Sequence, residues 1–345
     1  MHPIEFSCGG KTVGRERQVY IIAEACDNHF GSMPLAKEMI LQAKIAGADA
    51  VKFQHHLPDV EMLSDVPMSD NFKEPLYDFL KKNALTLDQH CELCAFCRSV
   101  DIAYMCTPFS YKAAEELRDH NLGDVFKIGS GEFQDFPSLE IIASIGRPMI
   151  LSCGMSTEEE IEETVYFMKG LGIPFALLNC TSEYPPKYEN MRLKNIPYLM
   201  EKYPDLIIGH SDHTPDNYTA YAAVALGAKI IEKHIILDKR MPGPDQSVSI
   251  DTESLKEMVD GIKKIEKALT CEKKVTVDEG RIREWAYRSV VTENPIKRGG
   301  TIKRDDLTTK RPGYGIPAKK IGSVVGKKAL RDIACNEIIK WSDFE

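Results

Sequence analysis

Residues 208–214 read IGHSDHT and residues 230–245 read IIEKHIILDKRMPGPD, and the run between them, 217–226, has the apolar spacing of a helix. An apolar run ending in a polar residue, a helix, then a second such run is the layout of one βαβ unit. Parallel pairing brings His213 and His234 to the same end of a sheet, although a whole crossover separates them in the chain. Either histidine alone reads most simply as a hydrogen-bonded core residue. Two of them at neighbouring strand ends read as ligands of one divalent metal.

The same alternation extends in both directions. Strands are expected at 19–23, 48–53, 102–105, 124–128, 148–151, 175–178, 206–208 and 229–232. The spacing predicts helices at 34–46, 87–100, 113–120, 137–145, 157–171, 193–203, 217–226 and 252–269. Eight βα repeats fit an α/β fold of the (β/α)8 triosephosphate-isomerase (TIM) barrel type over residues 1–269. The alternative is a doubly wound open sheet, but no G-x-G-x-x-G follows the first strand, which weakens a dinucleotide site. The run 57–75 has no clear period and reads as a long loop over the barrel mouth.

Every expected strand ends in polar chemistry. Glu24 closes the first, with Asn28 and His29 after it, and Lys52 and Gln54 close the second. Thr107 ends the third; Lys127, Ser130 and Glu132 follow along the fourth; Ser152 ends the fifth. Ser182 with Tyr184, Ser211 with His213, and Glu232 with His234 complete the set. In a barrel these ends converge on the face where the chemistry is done. Lysines supply charge and hydroxyls supply donors, so Lys52, Lys127, Thr107 and the serines make a phosphate cradle. Lys127 is alternatively a Schiff-base lysine. Glu24 and Glu132 are the acid–base candidates, against the plainer reading of ion pairs that tie strand ends together. Ser156 reads as a helix cap, with Thr157 and Glu158 opening the helix.

Composition narrows the class. The 345 residues are 43% hydrophobic and 28% charged, enough for one large core and a smaller module. Net charge is −8 without long runs, so no nucleic-acid face is expected, and an anionic substrate needs a local cationic pocket. The opening MHPIEFSCGGKTVGRERQVY is polar and no apolar run reaches membrane length, so no membrane partner and a cytoplasmic location are expected. Ten cysteines in such a chain read as reduced thiols. Cys91, Cys94 and Cys97 have the spacing of iron–sulfur ligands, yet they line one stripe of an amphipathic helix and no fourth cysteine completes the pattern.

The character changes after residue 269. Residues 270–288 read as a linker, and 289–345 alternate short β-like runs with turns, a compact β-rich module.

The stretches AEACDNHFGSMPLAKEMI, GADAVKFQ, CTPF, FKIGSGE, ILSCGM, LLNCTSEYP, IIGHSDHT, IEKHIILDKRMPGPD and KRPGYGI together resemble the sialic acid (nonulosonate) synthase family. The resemblance runs from Val19 to Glu345 with the motifs in order, and the end of the chain from Ser289 resembles the antifreeze-like SAF domain. It implies condensation of phosphoenolpyruvate with an N-acetylated amino sugar, most simply N-acetylmannosamine. Legionaminate- and pseudaminate-type synthases, which take 2,4-diacetamido-trideoxyhexoses, share these motifs. A keto-acid aldolase that works without phosphoenolpyruvate is the alternative enzyme. A non-catalytic carbohydrate-binding protein is the alternative class, which polar groups at all eight strand ends disfavour.

Residue by residue, the resemblance implies that His213 and His234 hold a divalent ion, usually Mn2+, with Mg2+ or Co2+ as substitutes. Lys52, Thr107, Lys127, Ser130, Ser152, Ser182 and Ser211 grip phosphoenolpyruvate. Gln54, Glu132, Tyr184 and Asp245 meet the sugar, and Glu24 sits near the reacting centre. It also implies a domain-swapped homodimer in which the SAF domain covers the neighbour's active site, bringing Arg311 to the N-acetyl group with Trp285 lining the pocket. ACDNHFGS departs from the usual glycine-containing AEIG-x-NHNG at Cys26, Asp27 and Phe30. Cys153 stands in SCGM where STGM is common, Gln246 replaces a frequent histidine, and the sugar-facing loop around Asn71 is divergent.

Overall fold

The computed structural model describes residues 5–67, 72, 74–269 and 272–345, which divide into two compact units after Leu269. In the first unit eight parallel strands close into a barrel. They are β1 Tyr20–Glu24, β2 Ala50–His55, β3 Ala103–Pro108, β4 Phe126–Ile128, β5 Met149–Ser152, β6 Phe175–Cys180, β7 Ile207–Asp212 and β8 Ile230–His234. β8 returns to pair with β1, so the sheet is the expected TIM-type barrel and not the open doubly wound alternative.

Side chains alternate between the two faces of each strand. Tyr20, Ile22, Ala50, Met105, Val125, Ile150, Ala176, Leu178, Ile207 and Ile230 share the inward phase and pack together. Ile21, Ala23, Val51, Phe53, Leu177 and Ile231 take the other phase and pack in the outer core. One further step in the inward phase reaches Glu24, Lys52, Thr107, Lys127, Ser152 and Glu232, and two steps, past Gly209, reach Ser211. The apolar interior thereby sets the phase that delivers these polar groups to one barrel mouth. Space in the interior is short at Gly209, where a Cβ would stand 2.5 Å from Leu178 Cδ2 and 2.6 Å from the Ile230 carbonyl oxygen.

The other mouth is covered by an N-terminal hairpin, Glu5–Cys8 paired antiparallel with Lys11–Gly14, whose Phe6, Cys8 and Val13 join the interior cluster. Tyr20 OH donates to the Cys8 carbonyl at 3.3 Å. Sequence reasoning missed this hairpin.

Several other expectations change in detail. The run 57–75, expected as irregular, contains a short helix at Pro58–Glu61, and an unanticipated helix follows at Leu76–Asn83. Asn71 lies outside the described residues. Thr157, not Ser156, caps the helix Glu158–Leu171: its hydroxyl accepts from Glu160 N at 3.3 Å while the Glu160 carboxylate accepts from Thr157 N at 2.7 Å. Both residues have a glutamate three positions on, so the pattern alone does not choose between them. Cys91, Cys94 and Cys97 lie on the helix Leu87–Ser99, with Cys94 and Cys97 buried in the outer core and Cys91 packed at its edge.

The second unit begins with a helix, Val277–Ala286, within the stretch expected as linker. Its antiparallel pair, Ser289–Thr292 with Leu307–Lys310, is extended by isolated bridges such as Val291 with Ile338 and Ile296 with Ile333. Val290, Ile296, Ile302, Leu307, Ile316, Val324, Ile333 and Ile339 form its core. Among the described residues no helix is long and apolar enough to cross a membrane.

Candidate active site

Glu24 and Lys52 are register partners on β1 and β2, and Lys52 Nζ lies 2.7 Å from Glu24 Oε2. The same ammonium donates to Thr107 Oγ1 at 2.9 Å and faces Glu232 Oε2 at 3.5 Å. Lys127 Nζ approaches Glu232 Oε1 at 3.4 Å, and Ser211 Oγ donates to that oxygen at 3.0 Å. Four residues expected in the phosphate cradle therefore share one network with Glu24 and Glu232. Burial opposes the charge on Lys52, but Glu232 and Glu24 outweigh it and hold the lysine above its ordinary range. Burial also opposes the charge on Glu232, and Lys127 with Lys52 overcomes it. Lys127 is less fully compensated, so burial lowers it, while burial raises Glu24. Mutual pairing is what lets four ionisable groups stand dry at one mouth. It also leaves two ammonium groups fixed in advance for an entering anion.

Beside this network two hydroxyls gather near the bare backbone of Gly154, two residues past Ser152, which supplies a third hydroxyl at this mouth. Gly154 N donates to Ser130 Oγ at 3.1 Å, and a Cβ on Gly154 would stand 2.3 Å from Ser182 Oγ and 2.7 Å from Ser130 Oγ. Ser152 Oγ is buried without a hydrogen-bond partner. A buried hydroxyl is normally satisfied, so a group that accepts from it and its neighbours belongs here. An oxyanion does so.

On the β7–β8 side, His213 Nδ1 is 2.8 Å from the Thr181 carbonyl oxygen. A carbonyl only accepts, so Nδ1 carries the proton and Nε2 keeps its lone pair; Tyr184 OH lies 3.3 Å from Nε2. The His213 and His234 ring centroids are 5.1 Å apart, edge to face. His234 Nδ1 is buried with no hydrogen-bond partner. Burial lowers His213 to about 4 and His234 well below its ordinary value, so both rings are neutral at physiological pH, the form that ligates metals. Cys26, His234 and Asp245 also bring one donor atom each to within 4.8 Å of one another. Imidazole, thiol and carboxylate donors gathered this closely, on a histidine that also keeps a buried nitrogen unpartnered, fit a divalent cation.

The NeuB family model matches residues 39–274, and the SAF domain model matches residues 287–345. The chain belongs to the NeuB family. It is 37% identical to an uncharacterized protein of Methanocaldococcus jannaschii over 97% of each chain. It is 34% identical to the N,N'-diacetyllegionaminic acid synthase of Legionella pneumophila over 98% of each chain. Among solved structures it is similar to the N-acetylneuraminic acid (sialic acid) synthetase of Leptospira borgpetersenii in complex with citrate. That similarity has a TM-score of 0.73 and 31% identity, covering 81% of this chain and 96% of that one.

In the NeuB barrel, Glu132 keeps Oε2 buried and without a hydrogen-bond partner, and burial raises its carboxyl. Gln54 Nε2 donates to Glu24 Oε1 at 2.9 Å, and Gln54 Oε1 lies 3.1 Å from His56 Nε2. His56 Nδ1 in turn meets Glu61 at 2.8 Å. Sequence reasoning missed His56 and Glu61, although the HH pair at the end of β2 was a visible signal. It also gave no role to Cys26, and none to Glu232 as the bridge between the lysines. Trp285 and Arg311 belong to the second unit, where the Arg311 guanidinium lies 5.5 Å from the Trp285 ring centroid and Arg311 Nε donates to the Ala286 carbonyl.

Proposed function

We propose that this NeuB-family chain condenses phosphoenolpyruvate with an N-acetylated amino sugar and water, giving a nonulosonic acid and phosphate. The observation that carries it is the Lys52–Glu24–Glu232–Lys127 network beside the Ser130–Ser182–Gly154 cradle, at the same mouth as the histidine pair. The enol methylene carbon bonds to the aldehyde carbon of the open-chain sugar, most simply N-acetylmannosamine, and the aldehyde oxygen gains a proton. The adjacent carbon takes up water, which loses a proton, and the adduct expels phosphate by C–O cleavage.

Lys52, Lys127, Thr107, Ser211 and the three cradle serines hold the phosphate and carboxylate of phosphoenolpyruvate. Glu132, with one free buried oxygen and a raised carboxyl, holds and returns the travelling proton. Glu24 has Lys52, Gln54 and the Cys26 N–H on its oxygens, so it positions Lys52. Gln54, Tyr184 and Asp245 face the sugar. A divalent cation at His213 and His234, Mn2+ first with Mg2+ and Co2+ as substitutes, supplies Lewis-acid polarisation of the sugar carbonyl when bound. Holding two substrates and a water in register contributes several kcal/mol, well within the roughly 7–11 kcal/mol available to such alignment.

A homodimer completes the site, with Arg311 of the SAF domain and Trp285 of the helix that precedes it reaching the neighbour's barrel. Arg311 is exposed and pairs with no carboxylate among the described residues, which leaves it free for that role. The reaction is assigned to the cytoplasm, where the nine described cysteines, all unpaired, stay reduced. The Legionella relative favours a second acceptor, a 2,4-diacetamido-trideoxyhexose.

The test is phosphate release by Mn2+-loaded protein given phosphoenolpyruvate and a panel holding both sugar types. Release with one acceptor, lost in His213→Ala, supports the proposal and names the sugar. No release with any acceptor, together with borohydride trapping of a keto-acid on Lys127, replaces it with the aldolase.

A further inference from the structure

Cys26 lies two residues past the end of β1, at the position where the family's AEIG-x-NHNG pattern has glycine. Its φ is +41°, a left-handed backbone that suits glycine and strains a residue with a Cβ. The chain therefore keeps a thiol where a glycine sits more comfortably. That thiol is wholly buried, and its donor sulfur lies within 4.8 Å of one donor atom each from His234 and Asp245. His234 contributes an independent sign, because its buried Nδ1 has no partner. Glu24 accepts from Cys26 N at 3.0 Å, which fixes the turn that presents the thiol.

We propose that Cys26 is a metal ligand in this chain, its thiolate joining His234 and the Asp245 carboxylate on the divalent cation. This rests on the cation-dependent reading above, moves Asp245 from the sugar to the cation, and changes the site's chemistry. A site of neutral imidazoles and carboxylates accepts Mg2+ and Mn2+, whereas a thiolate shifts preference towards Zn2+, Co2+ and Fe2+. The cation takes the place of the thiol proton, which leaves to solvent, and no oxidant is needed. The thiol is buried among these donors, so the metal's own positive charge is what stabilises the thiolate.

The experiment is a Co2+ titration of the full-length, metal-stripped protein followed by absorption. Binding of one Co2+ per chain with a sulfur-to-cobalt charge-transfer band in the near ultraviolet is expected. Cys26→Ser should abolish that band while Co2+ still binds with its visible ligand-field spectrum, and should reduce the preference for Zn2+ over Mg2+ at least tenfold. Cys26→Gly relieves the backbone strain and serves as the folded second variant with the same expected loss. A band that persists in both variants, or Co2+ bound without one, overturns the thiolate ligand and leaves the cation reading standing. No Co2+ binding by the wild-type chain overturns both.

Discussion

Lys52 Nζ stands 2.7 Å from Glu24 Oε2, and each side chain lies one inward step beyond an apolar interior residue, Ala50 and Ile22. The barrel core thus fixes where the ammonium can be. Lys52→Met is expected to cost about 2–4 kcal/mol of stability, because Glu24 and Glu232 lose part of their compensation. It should also raise the KM for phosphoenolpyruvate roughly 10- to 100-fold, the worth of a charged hydrogen bond. Urea unfolding and saturation kinetics read the two effects; an unchanged KM would remove Lys52 from anion binding.

Gly154→Ala should act without touching any charge. The new methyl displaces the hydroxyls of Ser182 and Ser130, which would otherwise lie 2.3 and 2.7 Å from it. Affinity for phosphoenolpyruvate should fall by about an order of magnitude while stability changes by less than about 2 kcal/mol. Equilibrium titration with phosphoenolpyruvate measures this, and wild-type affinity would mean that the hydroxyls do not face the ligand.

Glu132→Gln keeps the shape of the side chain and removes its proton chemistry. Turnover is expected to drop roughly 100- to 10,000-fold with phosphoenolpyruvate binding retained. Retained turnover would rule out the proton-carrying role.

Both tryptophans, Trp285 and Trp341, lie in the second unit, so tryptophan fluorescence reports on that unit alone. There Asp343 accepts from Arg331 Nε at 2.9 Å and from Lys340 N at 2.7 Å. Burial pushes its carboxyl up, but those two donors outweigh burial and hold it below the usual range. A depressed folded value means that the stabilisation is complete above the unfolded value of about 3.9 and is lost as pH falls through the folded one. Asp343→Asn should therefore destabilise by about 1–2 kcal/mol at neutral pH, discounted for the half-exposed arginine. The gap from wild type should close in acid below pH about 4. A gap independent of pH would contradict the pairing.

The barrel and its strand-end chemistry were legible in the chain because polar residues interrupt apolar runs at Glu24, Lys52, Thr107 and Glu232, always in the phase that the interior sets. The helix Val277–Ala286 was read as linker: Thr276 and Glu279 form a capping box that marks its start, but it buries no residue and so shows no apolar stripe. The hairpin at Glu5–Gly14 was not legible, since strands of four residues are too short for a period to emerge. Nor was the meeting of Cys26, His234 and Asp245, which depends on β8 closing against β1 and on the loop after it folding back. Eight repeats predict the closure, but spacing along the chain does not encode where that loop returns.

The most direct measurement follows heavy oxygen in the bridge between carbon and phosphorus of phosphoenolpyruvate during turnover with the accepted amino sugar. Release of phosphate carrying the heavy oxygen, in step with formation of the nonulosonic acid and only when sugar is present, is the expected result. Phosphate without the label, or labelled phosphate released in the absence of sugar, would contradict a C–O-cleaving condensation at this site.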